Sequence, residues 1–195
     1  MKAVWTDRGK SLYSRNIQIT AYEYDKQRII VEGFFQGNRC QEFVSIIGEK
    51  HPIGIVHHMS IRLLVNCSSH TIEDIDAELL SVPRPECRET INSLLPLKGL
   101  SITRGFTAKA KKTVGGAGCC THLLELITAM APAVVTGLAA FRGRKSTGFD
   151  PDQARMSMQY LLNTCRTWSE DGPLVTMLKK KIKSKQSPKK ETAGM

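Results

Sequence analysis

IGIVHHMSIRLLVN, residues 53–66, decides the fold. Met59, Ile61, Leu63 and Val65 occupy every second position, and Ser60 and Arg62 stand between them. A period of two marks a strand with one buried face. His57 has the parity of Met59 and is expected to point inward, whereas His58 points out.

The same pattern repeats on both sides. Upstream, NIQITAYEY (16–24) alternates through Ile17, Ile19 and Ala21, and RIIVEGFFQG (28–37) is a second β-rich run closed by Gly37-Asn38. Downstream, HTIEDIDAELLSV (70–82) sets Ile75, Ala77 and Leu79 against Asp76 and Glu78. Four strands joined by short links imply an antiparallel sheet with one buried face.

Beyond Pro83 the period changes. Pro85 is read as opening a helix with Cys87, Ile91, Leu94 and Leu95 on its apolar stripe, stopped at Leu97-Lys98-Gly99. SITRGFTAKAKKTV (101–114) reads as a basic loop leading into a glycine turn, and a helix follows from about Cys120 to Phe141. That segment is apolar enough to suggest a membrane span. Glu125, Pro132 and Gly137 favour a core helix, bent or broken at Pro132. Asp150 is a good N-cap, with Pro151 at the first helical position, for a helix through Trp168; a short lysine-rich helix follows the break at Glu170-Asp171-Gly172-Pro173.

Strands first and helices after is an α+β order. The expected division is a core domain over 1–142, a helical extension over 143–184 and a disordered basic tail over 185–195.

The chain has 195 residues and a net charge of +10. Seven lysines lie between Lys179 and the end, against one acid, Glu191, so the remaining body is only mildly basic. Such a tail attracts nucleic acid or an anionic surface weakly, and solubility is the reading preferred here. Partners are left as an unknown small molecule or protein, with no transmembrane segment. The opening MKAVWTDRGK has no apolar signal region. The six cysteines lack the dense spacing of a small secreted protein. The expected location is the cytoplasm, with reduced thiols.

Those thiols carry the candidate chemistry. VGGAGCCTHLLELI (114–127) places Cys119, Cys120 and His122 at a helix start, where the dipole and unpaired N–H groups favour thiolate. Cys87 has a similar place in the preceding helix. With His57 inward on its strand, Cys87 and Cys120 form a candidate three-ligand site for zinc or iron with an open fourth position. Against this, buried Cys packs as a small hydrophobe and an inward His is often a core residue. The Gly115–Gly118 run lacks the lysine-serine pair of a phosphate loop. One rival is a metal-free binding protein that grips an acidic ligand or partner with Arg104, Lys109, Lys111 and Lys112. Another is a cysteine nucleophile, Cys120 with His122, ranked last because i and i+2 do not face each other on a helix. Whether the protein is an enzyme is left open.

HHMSIRLLVN, IEDIDAELLSVPRPEC, LKGLSITRGF and GCCTHLLELI together resemble the bacterial family known as domain of unknown function twenty-eight eighty-nine, over roughly residues 12–140. His58 stands where that family usually has Asp, and Cys119 where it usually has Gly. No biochemical role comes with the resemblance. The order of parts is also similar to the NifU-type iron–sulfur scaffold family, whose NifU/SufE-like fold is an antiparallel sheet packed by helices. That similarity sets His57 at the family's acid, Cys87 at its first helix cysteine, Cys119-Cys120 at its His-Cys pair and Lys98-Gly99 at its turn. Its earliest ligand cysteine falls on Ile55, which binds no metal. The similarity therefore implies a single zinc or iron rather than a cluster, held by His57, Cys87 and Cys120, with Cys119 or His122 optional.

Overall fold

The computed structural model describes residues 6–144 and 148–186. They form two compact units that divide between Phe141 and Arg142. The first is α+β. Strands β1 (Tyr13–Glu23), β2 (Arg28–Arg39), β5 (Gly54–Asn66) and β6 (Ile72–Ser81) form one antiparallel sheet in the order β1-β2-β5-β6. A small hairpin of β3 (Phe43–Val44) and β4 (Lys50–His51) stands between β2 and β5.

The alternation in β5 is what the strand required: Met59, Ile61, Leu63 and Val65 are all buried. They pair across to Phe35, Gly33, Val31 and Ile29 of β2. On β6, Ile72, Ile75 and Leu79 complete the inward face. β6 starts two residues later than expected, because His70 takes a left-handed φ of 58° and turns the chain before Ile72.

Between Pro85 and Leu97 the chain forms a 3-10 helix, not the α-helix the stripe suggested. With three residues per turn, i and i+3 eclipse. Leu94 and Leu97 are therefore the buried pair, while Ile91 and Leu95 face outward. The basic segment is not a loop either. It is the helix α1 (Phe106–Val114), with Phe106, Ala110 and Val114 buried at i, i+4 and i+8 and its lysines outside.

Helix α2 (Thr121–Gly143) continues through Pro132, which lies on its exposed side. By length and composition α2 could cross a membrane. Its stripe of Leu123, Leu126, Ile127, Met130, Val134 and Leu138 is buried in the same core as the sheet. Two glycines let it come close. A Cβ on Gly33 would lie 2.7 Å from the Met130 sulfur, and one on Gly137 would lie 2.6 Å from Ala21 Cβ. The helix therefore runs along β1 and β2 with its N-terminus at the Arg15 end and Gly137 at Ala21.

In the second unit, α3 (Pro151–Leu161) begins as expected: the Asp150 carboxylate accepts from the N–H groups of Asp152 and Gln153. It ends seven residues before Trp168, because Asn163 adopts a left-handed φ of 59°. Helix α4 (Pro173–Gln186) packs against α3 and buries Val175. Of the expected basic tail, Lys185 and Gln186 belong to α4, and residues 187–195 lie outside the described residues.

Candidate functional site

The site is built at the end of the sheet where α2 begins. Register puts Arg15 (β1), Gly37 (β2) and His57 (β5) in one line on the inward face, with Ile17, Phe35 and Met59 in the next. The inward reading of His57 places it here, edge-on to Phe35 with ring centroids 6.2 Å apart. Glycine at 37 leaves a gap in this line. The Tyr13 hydroxyl fills the place its Cβ would take, and His57 Nδ1 lies 3.5 Å from that point.

From the other side α2 lowers His122 onto the pair. The His57 and His122 rings are 3.9 Å apart at a tilt of 38°, and His122 is 5.1 Å from Phe35. Cys120 Sγ stands 3.8 Å from His122 Nδ1. This contact overturns the argument that i and i+2 cannot meet. Cys120 precedes the first helical residue, Thr121, so helix spacing does not govern its direction.

Burial first, then the neighbouring His122 and Arg15, hold the His57 pKa down at about 4. His122 is lowered by burial and by Arg15, with Glu125 opposing. Both imidazoles are thus biased to the neutral form, the form that binds metal or accepts a proton. His57 Nδ1 is buried and has no hydrogen-bond partner among the described residues. Arg15 closes the site: its Nη1 donates to both carboxylate oxygens of Glu125, at 2.7 and 2.8 Å, and its guanidinium lies 5.1 Å from the centre of the Phe35 ring.

The cysteines do not converge as expected. Cys119 turns toward the 3-10 helix, where Ser93 Oγ donates to its sulfur at 3.4 Å. Cys87 lies on the Ser93 line of that helix, two turns away, or roughly 12 Å at ~2.0 Å rise per residue. It is only half-buried and off the Leu94–Leu97 face. Among the described residues no group of three or more His, Cys, Asp or Glu side chains is disposed to hold a metal ion. The structure thus brings together His57, Cys120 and His122, and leaves Cys87 and Cys119 outside.

Tyr13, Phe35, Arg15 and Glu125 were not anticipated. The alternation of β1 would have put Tyr13 and Arg15 on the inward face. Nothing local pairs Arg15 with Glu125, which are 110 positions apart. Arg104, Lys109, Lys111 and Lys112 of the rival binding reading are exposed.

No curated protein and no solved structure matches the chain, so the similarity to iron–sulfur scaffolds gains no support. The sequence profile of the family described as "Protein of unknown function (DUF2889)" matches residues 13–136, from Tyr13 to Thr136 in α2, which spans every residue of the site, and the chain belongs to that family.

Proposed function

We propose that the protein binds one zinc-class ion through Cys120, His122 and His57, with the remaining coordination position open. The observation that carries this reading is the separation of Cys120 Sγ and His122 Nδ1, 3.8 Å. Two ligands on a tetrahedral ion, with metal–sulfur and metal–nitrogen bonds of about 2.3 and 2.0–2.1 Å, stand roughly 3.5 Å apart. The orphaned His57 Nδ1 and the neutral bias of both rings agree with it.

The His57 ring is stacked too tightly on His122 to complete the site as it stands. Two imidazoles on one ion have centroids roughly 5 Å apart, against 3.9 Å here. A rotation of His57 away from His122 would open the pair. A bound ion with an open position would supply Lewis-acid chemistry. Arg15 and the Tyr13 hydroxyl would then orient what binds beside it.

Elemental analysis of protein purified without chelator tests this. About one zinc or iron per chain is expected. Cys120→Ser, His122→Ala and His57→Ala should each lose most of it, whereas Cys87→Ser and Cys165→Ser should keep it. Folded wild-type protein with only trace metal would end the proposal.

The thiol–imidazole contact also favours a second reading, a metal-free Cys120 nucleophile activated by His122. Under it, chelation leaves the alkylation rate of Cys120 unchanged and His122→Ala slows it. Under the metal reading, chelation speeds alkylation.

A further inference from the structure

We propose that β1 pairs with the β1 of a second copy of this chain, so that a two-fold axis joins two four-stranded sheets into one. β1 stands at the edge of its sheet, and among the described residues no strand lies on its outer side. None of its 11 residues is buried, and even Ile17, on the inward face, is 39% exposed. An edge strand presents a row of unpaired N–H and C=O groups, which proteins blunt with proline, lysine, bulges or a cover. YSRNIQITAYE contains no proline, glycine or lysine, and it keeps unbroken register with β2 from Tyr13 to Glu23. The opposite edge is protected. β6 carries Glu73, Asp74, Asp76 and Glu78, which would repel their copies, and the 3-10 helix packs against it.

Helix α2 favours a second copy over a foreign strand. Between Glu125 and Arg142 it has no charged residue. Glu125 meets Arg15, and Gly137 lies against Ala21, so α2 runs along β1. The row that continues from Glu125 on this flank is Ala129, Ala133, Thr136 and Ala140, none of them buried. The helix also touches β2 at Gly33, so its axis stands about half a strand spacing inside β1. A two-fold axis midway between the paired edges then sets the two α2 helices roughly 10 Å apart, at ~4.8 Å per strand. Packed helices stand about 8–10 Å apart, according to the side chains between them. One symmetry operation thus satisfies the bare edge and the alanine row together. A lone strand from elsewhere would leave that row open.

Charge fixes the register. β1 has one cation, Arg15, and one anion, Glu23, toward its two ends. Antiparallel pairing centred on Ile19 sets Arg15 of each copy opposite Glu23 of the other and Gln18 opposite Thr20. No like charges then face each other along the pair. Ala133 lies level with Ile19, between the contacts of Glu125 and Gly137, and so meets its own copy at the axis. The strand spans about 36 Å at ~3.3 Å per residue. With the helix flank, that strip is on the order of the roughly 800 Å² per partner of a stable interface. The Arg15–Glu125 pair that closes the site lies along it, so the second copy covers the outer side of that pair.

Sedimentation of the full chain tests the proposal. The protein should sediment at twice the chain mass. Gln18→Lys with Thr20→Lys sets lysine opposite lysine and should weaken the dimer about tenfold or more, at unchanged circular dichroism. Ala133→Arg should weaken it at least as much from the helix side. Amide exchange in β1 should slow as concentration rises, while exchange in β6 should not. A chain still monomeric at about 1 mM, where even millimolar association shows, would overturn the proposal. So would a dimer that either variant leaves intact, or one that forms without slowing β1 exchange, because that dimer would use another surface.

Discussion

Gly137→Ala tests the close approach of α2 to β1. In an unconstrained helix the change gains about 1 kcal/mol from propensity. Here the new methyl would lie 2.6 Å from Ala21 Cβ and 3.5 Å from Ile29 Cδ1. Carbon pairs rest at about 3.5–4.0 Å, so α2 and β1 must part by roughly 1 Å. Ala21 offers no rotamer that moves its Cβ aside, and overpacking of this kind costs about 1–3 kcal/mol. A net loss of about 1–2 kcal/mol is expected, read as a lower urea midpoint at unchanged slope. Ala21→Gly alone should also destabilise, by about 0.5–1 kcal/mol. In the double variant the methyl has its space, and a favourable coupling of about 1–3 kcal/mol should appear in the double-mutant cycle. Gly33→Ala is the contrast. Its nearest neighbour is the Met130 thioether at 2.7 Å, a flexible end that can swing away, so the loss should be smaller. If Gly137→Ala raises stability by about 1 kcal/mol, or the cycle shows no coupling, the close approach described here is wrong.

Acid should weaken the fold through His57. Its pKa is near 4 folded and about 6.5 unfolded, so the unfolded state takes up the proton first; the stabilisation is intact above pH 6.5 and is lost as pH falls toward 4, by about 1–2 kcal/mol after discounting for solvent at a half-exposed ring. Melting temperatures of wild type and His57→Gln should therefore converge between pH 7.5 and 4.5; parallel curves would contradict the assignment. In the second unit, Asp150→Ala removes the cap that accepts from Asp152 and Gln153 N–H and should cost about 1 kcal/mol. Faster amide exchange in the first turn of α3 would report it, and unchanged exchange would contradict it.

The sheet was legible because β2, β5 and β6 each bury one face and not the other, while β1 alternates in sequence although none of its residues is buried. Met59 to Val65 states that difference residue by residue. The β3–β4 hairpin was not, since two-residue strands exposed on both faces have no period to read. Ile91, Leu94 and Leu95 fit an α-helical stripe on paper. Only the tertiary packing of Leu94 with Leu97 reveals the tighter 3-10 period. In α1 a small residue, Ala110, carries the middle of the stripe, and the helix's five polar positions mask it. At the site, the parity of His57 was readable, and so was the placing of Cys120 and His122 at the start of α2. The direction of the Cys120 thiol was not, because it depends on where the first helical residue falls. Cys87 was misplaced for the same reason that its helix type was. Arg15 and Glu125 meet only through the three-dimensional course of the chain.

Consider α2 in the order in which a ribosome delivers it. The last sheet strand ends at Ser81, while the stripe that covers Phe35, Met59 and Ile61 is not complete until Leu138. At about 5–20 residues per second the intervening chain takes roughly 3–12 s to synthesise. Through that interval only the 3-10 helix and α1 are there to cover the apolar side of the sheet, and the part over β1 and β2 that α2 packs on stays open. The completed chain is therefore a closed α+β unit, whereas the growing one is a sheet that α2 has yet to reach. A stop or frameshift between Ser81 and Leu138 would make that second form permanent.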